Sequence, residues 1–158
     1  MSFGRLAVAI EGFFVFYSEM FDESLINYIE SPSRNKLILS KEEIKDIKYI
    51  DLGVLLSEAL SNIPFQFIPY ELDGILDSIF CTNFKESYVF GRYYAIKNIN
   101  ILFEPELSIN FLSLIDKYSK DIPLFIATKG IVNGTIFYPF ALNRSYQFDL
   151  NNLSPYIC

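Results

Sequence analysis

Residues 93–128, YYAIKNINILFEPELSINFLSLIDKYSKDIPLFIAT, constrain this chain more than any other stretch. An apolar run at 93–99 suits a strand, and Ile101-Leu102-Phe103 carries the pattern on toward Pro105. Ser108 can cap a helix carrying Phe111, Leu112, Leu114, Ile115 and Tyr118. Leu124–Ala127, after Pro123, is continuously apolar and of strand length, so it fits a strand covered on both faces. Strand, turn, helix, strand is half of an α/β domain. It commits the remaining elements to a mainly parallel sheet joined by right-handed crossovers.

Upstream, residues 6–11 suggest a short helical lead-in. Residues 12–18, GFFVFYS, read as a central strand. Asp22 or Ser24 can cap a helix through Leu25, Ile26, Tyr28 and Ile29, which Ser31-Pro32-Ser33 ends. Residues 36–39 make a minor strand and residues 49–52 a short one. Gly53 opens a helix at 54–61, and Pro64 and Pro69 bound a break before a second amphipathic helix at 70–80. Downstream, Asn133-Gly134 between apolar residues is the strongest hairpin signal in the chain. Residues 146–150 could add a strand, and the last residues are expected to be loose. The expectation is one domain over 1–158, with four or five core strands plus a C-terminal β-hairpin.

Composition narrows the function. The net charge is −6, so no global attraction to a phosphate backbone exists. The most basic window, residues 34–48, is diluted by Glu42, Glu43 and Asp46 and reads as a solvated mixed-charge segment. Cys81 and Cys158 form no metal pattern, and without histidine an ordinary zinc site is not expected. Two free thiols fit a reducing cytosol. No apolar run reaches membrane-spanning length. Residues 6–17 faintly resemble a signal-peptide core, but Glu11 interrupts them and no small-residue cleavage site follows. A cytoplasmic protein is the expectation.

Ser18, Ser57 and Ser113 have no histidine to activate them, and Cys81 lacks one too. The acid pairs Asp22/Glu23 and Glu104/Glu106 lie where carboxylates favour a helix start. Hydrophobic residues make up 51% and aromatics 17%, with 16 Phe and 11 Tyr. Two readings stand side by side: a surface covered in a complex, or the residue bias of an AT-rich genome. Phe65, Phe67 and Tyr70, between two helices, and Phe84, Tyr88 and Phe90, before the 93–99 strand, are the candidate interface aromatics. Stacking on single-stranded nucleic acid would need a basic groove, which the sequence does not offer.

Ala95-Ile96-Lys97-Asn98-Ile99-Asn100-Ile101-Leu102-Phe103-Glu104-Pro105 resembles the strand "apolar-Asp-Asn-Ile-x-Ile-Leu-Phe-Asp-Pro" of the small P-loop ATPase subunit (BrxF-like) of bacteriophage-exclusion, or BREX, defence systems. Tyr49-Ile50-Asp51-Leu52-Gly53 with Leu55-Leu56 is similar to that family's second strand and next helix. Ile126-Ala127 and the Asn133-Gly134 hairpin also fit. The resemblance spans residues 12–138 and implies a P-loop-NTPase-like three-layer sandwich.

Two departures remove the chemistry that the resemblance would imply. A phosphate loop needs glycines, a Lys and a Ser or Thr. Residues 18–24 offer Ser18, Glu19, Asp22, Glu23 and Ser24, with only Ser24 usable and no glycine or lysine. Carboxylates there would repel phosphate. Lys97 stands where the magnesium-associated Asp belongs. Its simplest role is a strand-end side chain reaching solvent, the alternative being an ion pair with Asp22 or Glu23. Thr128 falls at a polar sensor position. Ser18, Glu19, Asp22, Ser24, Lys97 and Thr128 thus outline a degenerate site, with no cofactor or metal expected. The function expected is a non-catalytic structural or regulatory subunit of a larger defence-related assembly, with protein partners, a homo-oligomer being a further option. A weak NTPase completed by a neighbouring subunit, and a stand-alone inhibitor or adaptor, are the alternatives.

Overall fold

In the computed structural model, which describes residues 21–158, Leu37–Ser40 (β1) and Leu124–Ala127 (β5) are buried at every position. They run parallel, with Leu37 opposite Leu124 and Ser40 opposite Ala127. Around this pair Ile50–Asp51 (β2), Lys85–Ser87 (β3), Gly91–Lys97 (β4) and Tyr156–Ile157 (β9) complete the main sheet. Its order is β2-β4-β5-β1-β9, all parallel, and β3 runs antiparallel to the start of β4. Parallel pairing requires crossovers, which the helices supply.

Among the described residues four helices cover the sheet: Glu23–Glu30 (α1), Leu52–Ser61 (α2), Ile68–Thr82 (α3) and Phe111–Ser119 (α4). Successive strand residues point to opposite faces. Leu37, Leu39, Ile96, Leu124 and Ile126 therefore meet Leu52, Leu56, Leu76, Phe80 and Ile115 of α2, α3 and α4 on one face. Ile38, Tyr93, Ala95 and Phe125 meet Phe21 and, from α1, Leu25 and Ile26 on the other. Asp22 is the cap of α1, accepting from the Ser24 N–H. A 3₁₀ turn, Phe65–Phe67, joins α2 to α3, and Pro69 sits in the first turn of α3, where its missing N–H costs nothing.

Ile131–Asn133 (β6), Ile136–Tyr138 (β7) and Phe148–Asp149 (β8) form a separate antiparallel sheet. Its two-residue loop is Gly134-Thr135, with Gly134 at φ 64°, a conformation glycine adopts freely. The loop is thus one residue beyond the Asn-Gly pair that signals it. Phe137, Leu150 and Leu153 extend the core below α4, where the rings of Phe103, Phe111 and Phe148 lie 4.9–5.5 Å apart.

Several elements differ from the sequence expectation. The minor strand expected at 36–39 is the second strand from one edge, buried throughout, with partners on both sides. The last residues are not loose: Tyr156 pairs with Ile38, and the Cys158 N–H donates to the Leu39 carbonyl at 2.9 Å. The run 101–103 does not continue a strand. Asn98 adopts φ 56°, and the chain then coils into a 3₁₀ turn, Ile99–Phe103. Ser108 is itself left-handed, so Asn110 caps α4 by accepting from the Ser113 N–H at 3.1 Å. The lead-in expected at 6–11 and the strand expected at 12–18 lie outside the described residues.

Candidate functional site

The carboxyl ends of parallel strands are where open α/β sheets bind ligands. Here the ends of β1, β4 and β5 open on a cleft of about 310 Å³. β1 leaves the sheet at Ser40, whose hydroxyl donates to the Glu42 carbonyl at 2.7 Å and turns residues 41–43 over the opening. β4 contributes Lys97 and, past the left-handed Asn98, Ile99 and Asn100. β5 contributes Thr128 and Lys129. Thr128 donates its N–H to the Ser40 carbonyl at 2.9 Å, which ties the two exits together.

Charge in this cleft is largely neutralised from within. Lys97 Nζ lies 3.3 Å from Glu43 Oε2, and Lys129 Nζ lies 2.6 Å from Glu42 Oε1. The Lys129 ammonium, first by its hydrogen bond and then by its charge, holds the Glu42 carboxyl below its ordinary range. Both pairs are open to water, so they contribute little to stability. They do place two carboxylates beside the two lysines an anion would seek.

The acid beside Lys97 stands on the neighbouring strand: Asp51 ends β2 directly opposite it. Asp51 caps α2. Its carboxylate accepts from the Val54 N–H at 3.0 Å and from Asn98 Nδ2 at 2.9 Å. Those hydrogen bonds, Val54 first, pull its pKa down, with a smaller contribution from the Lys97 charge. The carboxylate is therefore committed to the helix start and to Asn98.

Of the six residues expected to outline the degenerate site, Lys97 and Thr128 line this cleft together. Lys97 pairs with Glu43, rather than reaching freely into solvent or pairing with Asp22 or Glu23. Asp22 and Ser24 do not line the cleft. They hydrogen-bond each other at the start of α1 and meet the Tyr156 hydroxyl. The Ser24 hydroxyl is the main reason that the Asp22 carboxyl lies below its usual range. Ser18 and Glu19 lie outside the described residues. Glu42, Glu43, Lys129, Asp51 and Asn98 are not among the site residues expected from sequence. The signal that could have found the first two is a Lys-Glu-Glu triplet that follows an apolar run after a single serine.

The candidate interface aromatics divide. Phe65, Phe67, Tyr70 and Tyr88 are 69%, 50%, 85% and 92% exposed. Phe84 is half-buried beneath the Arg92 guanidinium, 4.8 Å from its ring. Phe90 is half-buried and packs against the core, with the Phe21, Tyr93 and Phe125 rings each 5.6 Å away. Cys81 and Cys158 are free and exposed. Among the described residues no group of three or more Cys, Asp or Glu could hold a metal ion, and no helix is long and apolar enough to cross a membrane.

No family model, no curated protein and no solved structure matches the chain.

Proposed function

We propose that this chain is a non-catalytic, degenerate P-loop-like protein that acts as a structural or regulatory subunit of a larger assembly, of the anti-phage defence kind its sequence resembles. One observation carries the loss of catalysis. Glu43 and Glu42, at the exit of β1, take up Lys97 and Lys129 inside the strand-end cleft. A phosphate group would have to displace both carboxylates. Nor does the exit of β1 offer a cradle of backbone N–H groups, because no glycine occurs between Ser40 and Gly53. The P-loop-like part of the reading is supported by the parallel sheet, the helices on its two faces and the cleft at the ends of β1, β4 and β5. The subunit role is supported by the exposed Phe65, Phe67 and Tyr70.

Calorimetric titration of the purified chain with ATP or GTP and magnesium tests the first half. The expected result is no complex tighter than about 100 μM. A tighter one-to-one complex overturns it and favours an NTPase completed by a neighbouring subunit. Lys41, Lys97, Lys129 and Thr128 converging on one cleft is the observation behind that second reading.

A further inference from the structure

The strand-end cleft has an apolar neighbour. It is a pocket of about 130 Å³ between Leu39 of β1, Ile157 of β9, and Ile131 and Val132 of β6. Lys41 and Thr128 line both hollows, so the two meet where β1 and β5 leave the sheet. The volume is close to the roughly 150 Å³ of an engineered apolar cavity that takes up benzene. One branched aliphatic or phenyl group therefore fills it.

The walls of this pocket are held in place from outside it. At Gly130 the chain passes from β5 to β6 so close to β7 that a Cβ would sit 2.6 Å from Phe137 Cε1 and 2.7 Å from the Tyr138 carbonyl oxygen. Phe137 is buried in the main core, so this wall is set before any ligand arrives. On the other side the Cys158 N–H donates to the Leu39 carbonyl at 2.9 Å. That bond seats Ile157 opposite Leu39, its register partner, and leaves its side chain 46% exposed.

Charge at the junction has one sign to spare. The cleft is lined by three lysines, Lys41, Lys97 and Lys129, and two glutamates, Glu42 and Glu43, so one positive charge is left over. Lys97 and Lys129 are balanced by Glu43 and Glu42. Lys41 is the remainder: it is exposed and forms no ion pair among the described residues. The Thr128 hydroxyl accepts from the Gly130 N–H at 3.1 Å, which leaves its own O–H available to donate. Both available donors thus stand where the polar cleft meets the apolar pocket.

We propose that the strand ends bind a small amphipathic monocarboxylate. Its carboxylate accepts from the Lys41 ammonium and the Thr128 hydroxyl, and its aliphatic or phenyl group enters the pocket between Leu39, Ile131, Val132 and Ile157. A single negative charge matches the single unbalanced lysine, whereas a polyphosphate would also meet Glu42 and Glu43. A free organic acid and the C-terminal residue of another chain offer this same chemistry. The site needs no partner subunit and is complete in the chain alone.

The test is a titration of the intact chain with 4-methylpentanoate in low salt, followed by amide NMR shifts. Its controls are 4-methylpentanamide, which lacks the charge, and acetate, which lacks the apolar group. The acid is expected to bind with a Kd of about 1 mM, as a ligand of this size allows, and each control at least about ten-fold more weakly. The shifts should centre on Ser40, Thr128, Gly130 and Ile157. Lys41→Gln should weaken binding by about five-fold or more. Lys45→Gln removes the same charge from the same loop outside both hollows and should leave binding unchanged. Ile157→Trp fills the pocket from an exposed position and should abolish binding with little change in melting temperature. A hexapeptide ending in free leucine separates the sources: tighter binding than the free acid assigns the site to a chain terminus, weaker binding to a small acid. Equal binding of the amide or of acetate, indifference to both Lys41→Gln and Ile157→Trp, or no shifts up to about 20 mM acid overturns the proposal. The subunit reading is tested separately, by nucleotide titration and by capture of partners.

Discussion

The side chain of Asn98 lies against Gly53. A methyl group at residue 53 would sit 2.8 Å from Asn98 Cγ and 3.0 Å from the Asn98 carbonyl oxygen. The contact locks the exit of β4 to the start of α2, beside the Asn98–Asp51 hydrogen bond. Gly53→Ala should therefore destabilise the protein by about 1–2 kcal/mol, because overpacking outweighs the better helix propensity of alanine. Asn98→Gly tolerates the left-handed backbone and removes the obstructing amide. In that background Gly53→Ala should cost clearly less. Urea denaturation of the four-member cycle gives the coupling. Simple additivity would show that the contact is not what excludes the methyl group.

Acid should unfold this protein through a few specific carboxylates. The Ser24 hydroxyl lowers Asp22, the Val54 N–H lowers Asp51, the Tyr118 hydroxyl lowers Asp77, and Lys129 lowers Glu42. Each folded pKa thus lies below its ordinary value, 3.8 for Asp and 4.5 for Glu. Their stabilisation is fully present above those values and is lost as pH falls through the lowered ones. The melting temperature should hold from neutral pH to about 5 and fall progressively below about 4.5. A melting temperature at pH 3 equal to that at pH 7 would contradict the assignment.

Phe90 and the exposed aromatics should respond oppositely. Phe90→Ala opens a cavity among Phe21, Tyr93 and Phe125 and is expected to cost about 2–4 kcal/mol in chemical denaturation. Serine at Phe65, Phe67 and Tyr70 together should change stability little, because all three already face water. The same triple variant should be more soluble and should damage biological activity. A triple variant that melts far below wild type would place these rings in the core.

Removing the glutamates of the strand-end cleft should expose its lysines. The Glu42→Gln, Glu43→Gln double variant keeps the size of both side chains and leaves Lys97 and Lys129 unneutralised. Binding of inorganic tripolyphosphate, followed by calorimetry in low salt, is expected to strengthen by about ten-fold or more. Unchanged affinity would mean that the carboxylates do not guard the cleft.

Local chemistry explains which parts of the fold were legible in sequence. Leu124–Ala127 was readable because Pro123 starts it and every side chain is apolar. Asp22 and the Ser31-Pro32 stop marked both ends of α1. β1 was undervalued because only four residues separate Lys36 from Lys41, and strand length says nothing about position in a sheet. β9 offers two residues after a proline, and only its pairing with Ile38 makes it a strand. The cleft was half legible. Lys97 and Thr128 end apolar runs, but the carboxylates that meet Lys97 and Lys129 arrive from the exit of β1, far away in sequence. Long-range pairings of this kind leave no periodic trace.

The register of β9 also sets a schedule for the chain. β4 and β5 are consecutive strands joined by a single crossover of two 3₁₀ turns and α4, so they can pair early at modest loop-closure cost. β1 emerges from the ribosome before either of them, yet its neighbours are β5 and β9, both made later. Until then Leu37, Ile38 and Leu39 are an apolar strand with two open edges, the kind of segment that pairs with other chains. Productive folding therefore depends on a late closure in which Tyr156 reaches Ile38. A pause in synthesis before residues 156–157 should favour aggregation, and chaperones that shield short apolar strands should relieve it.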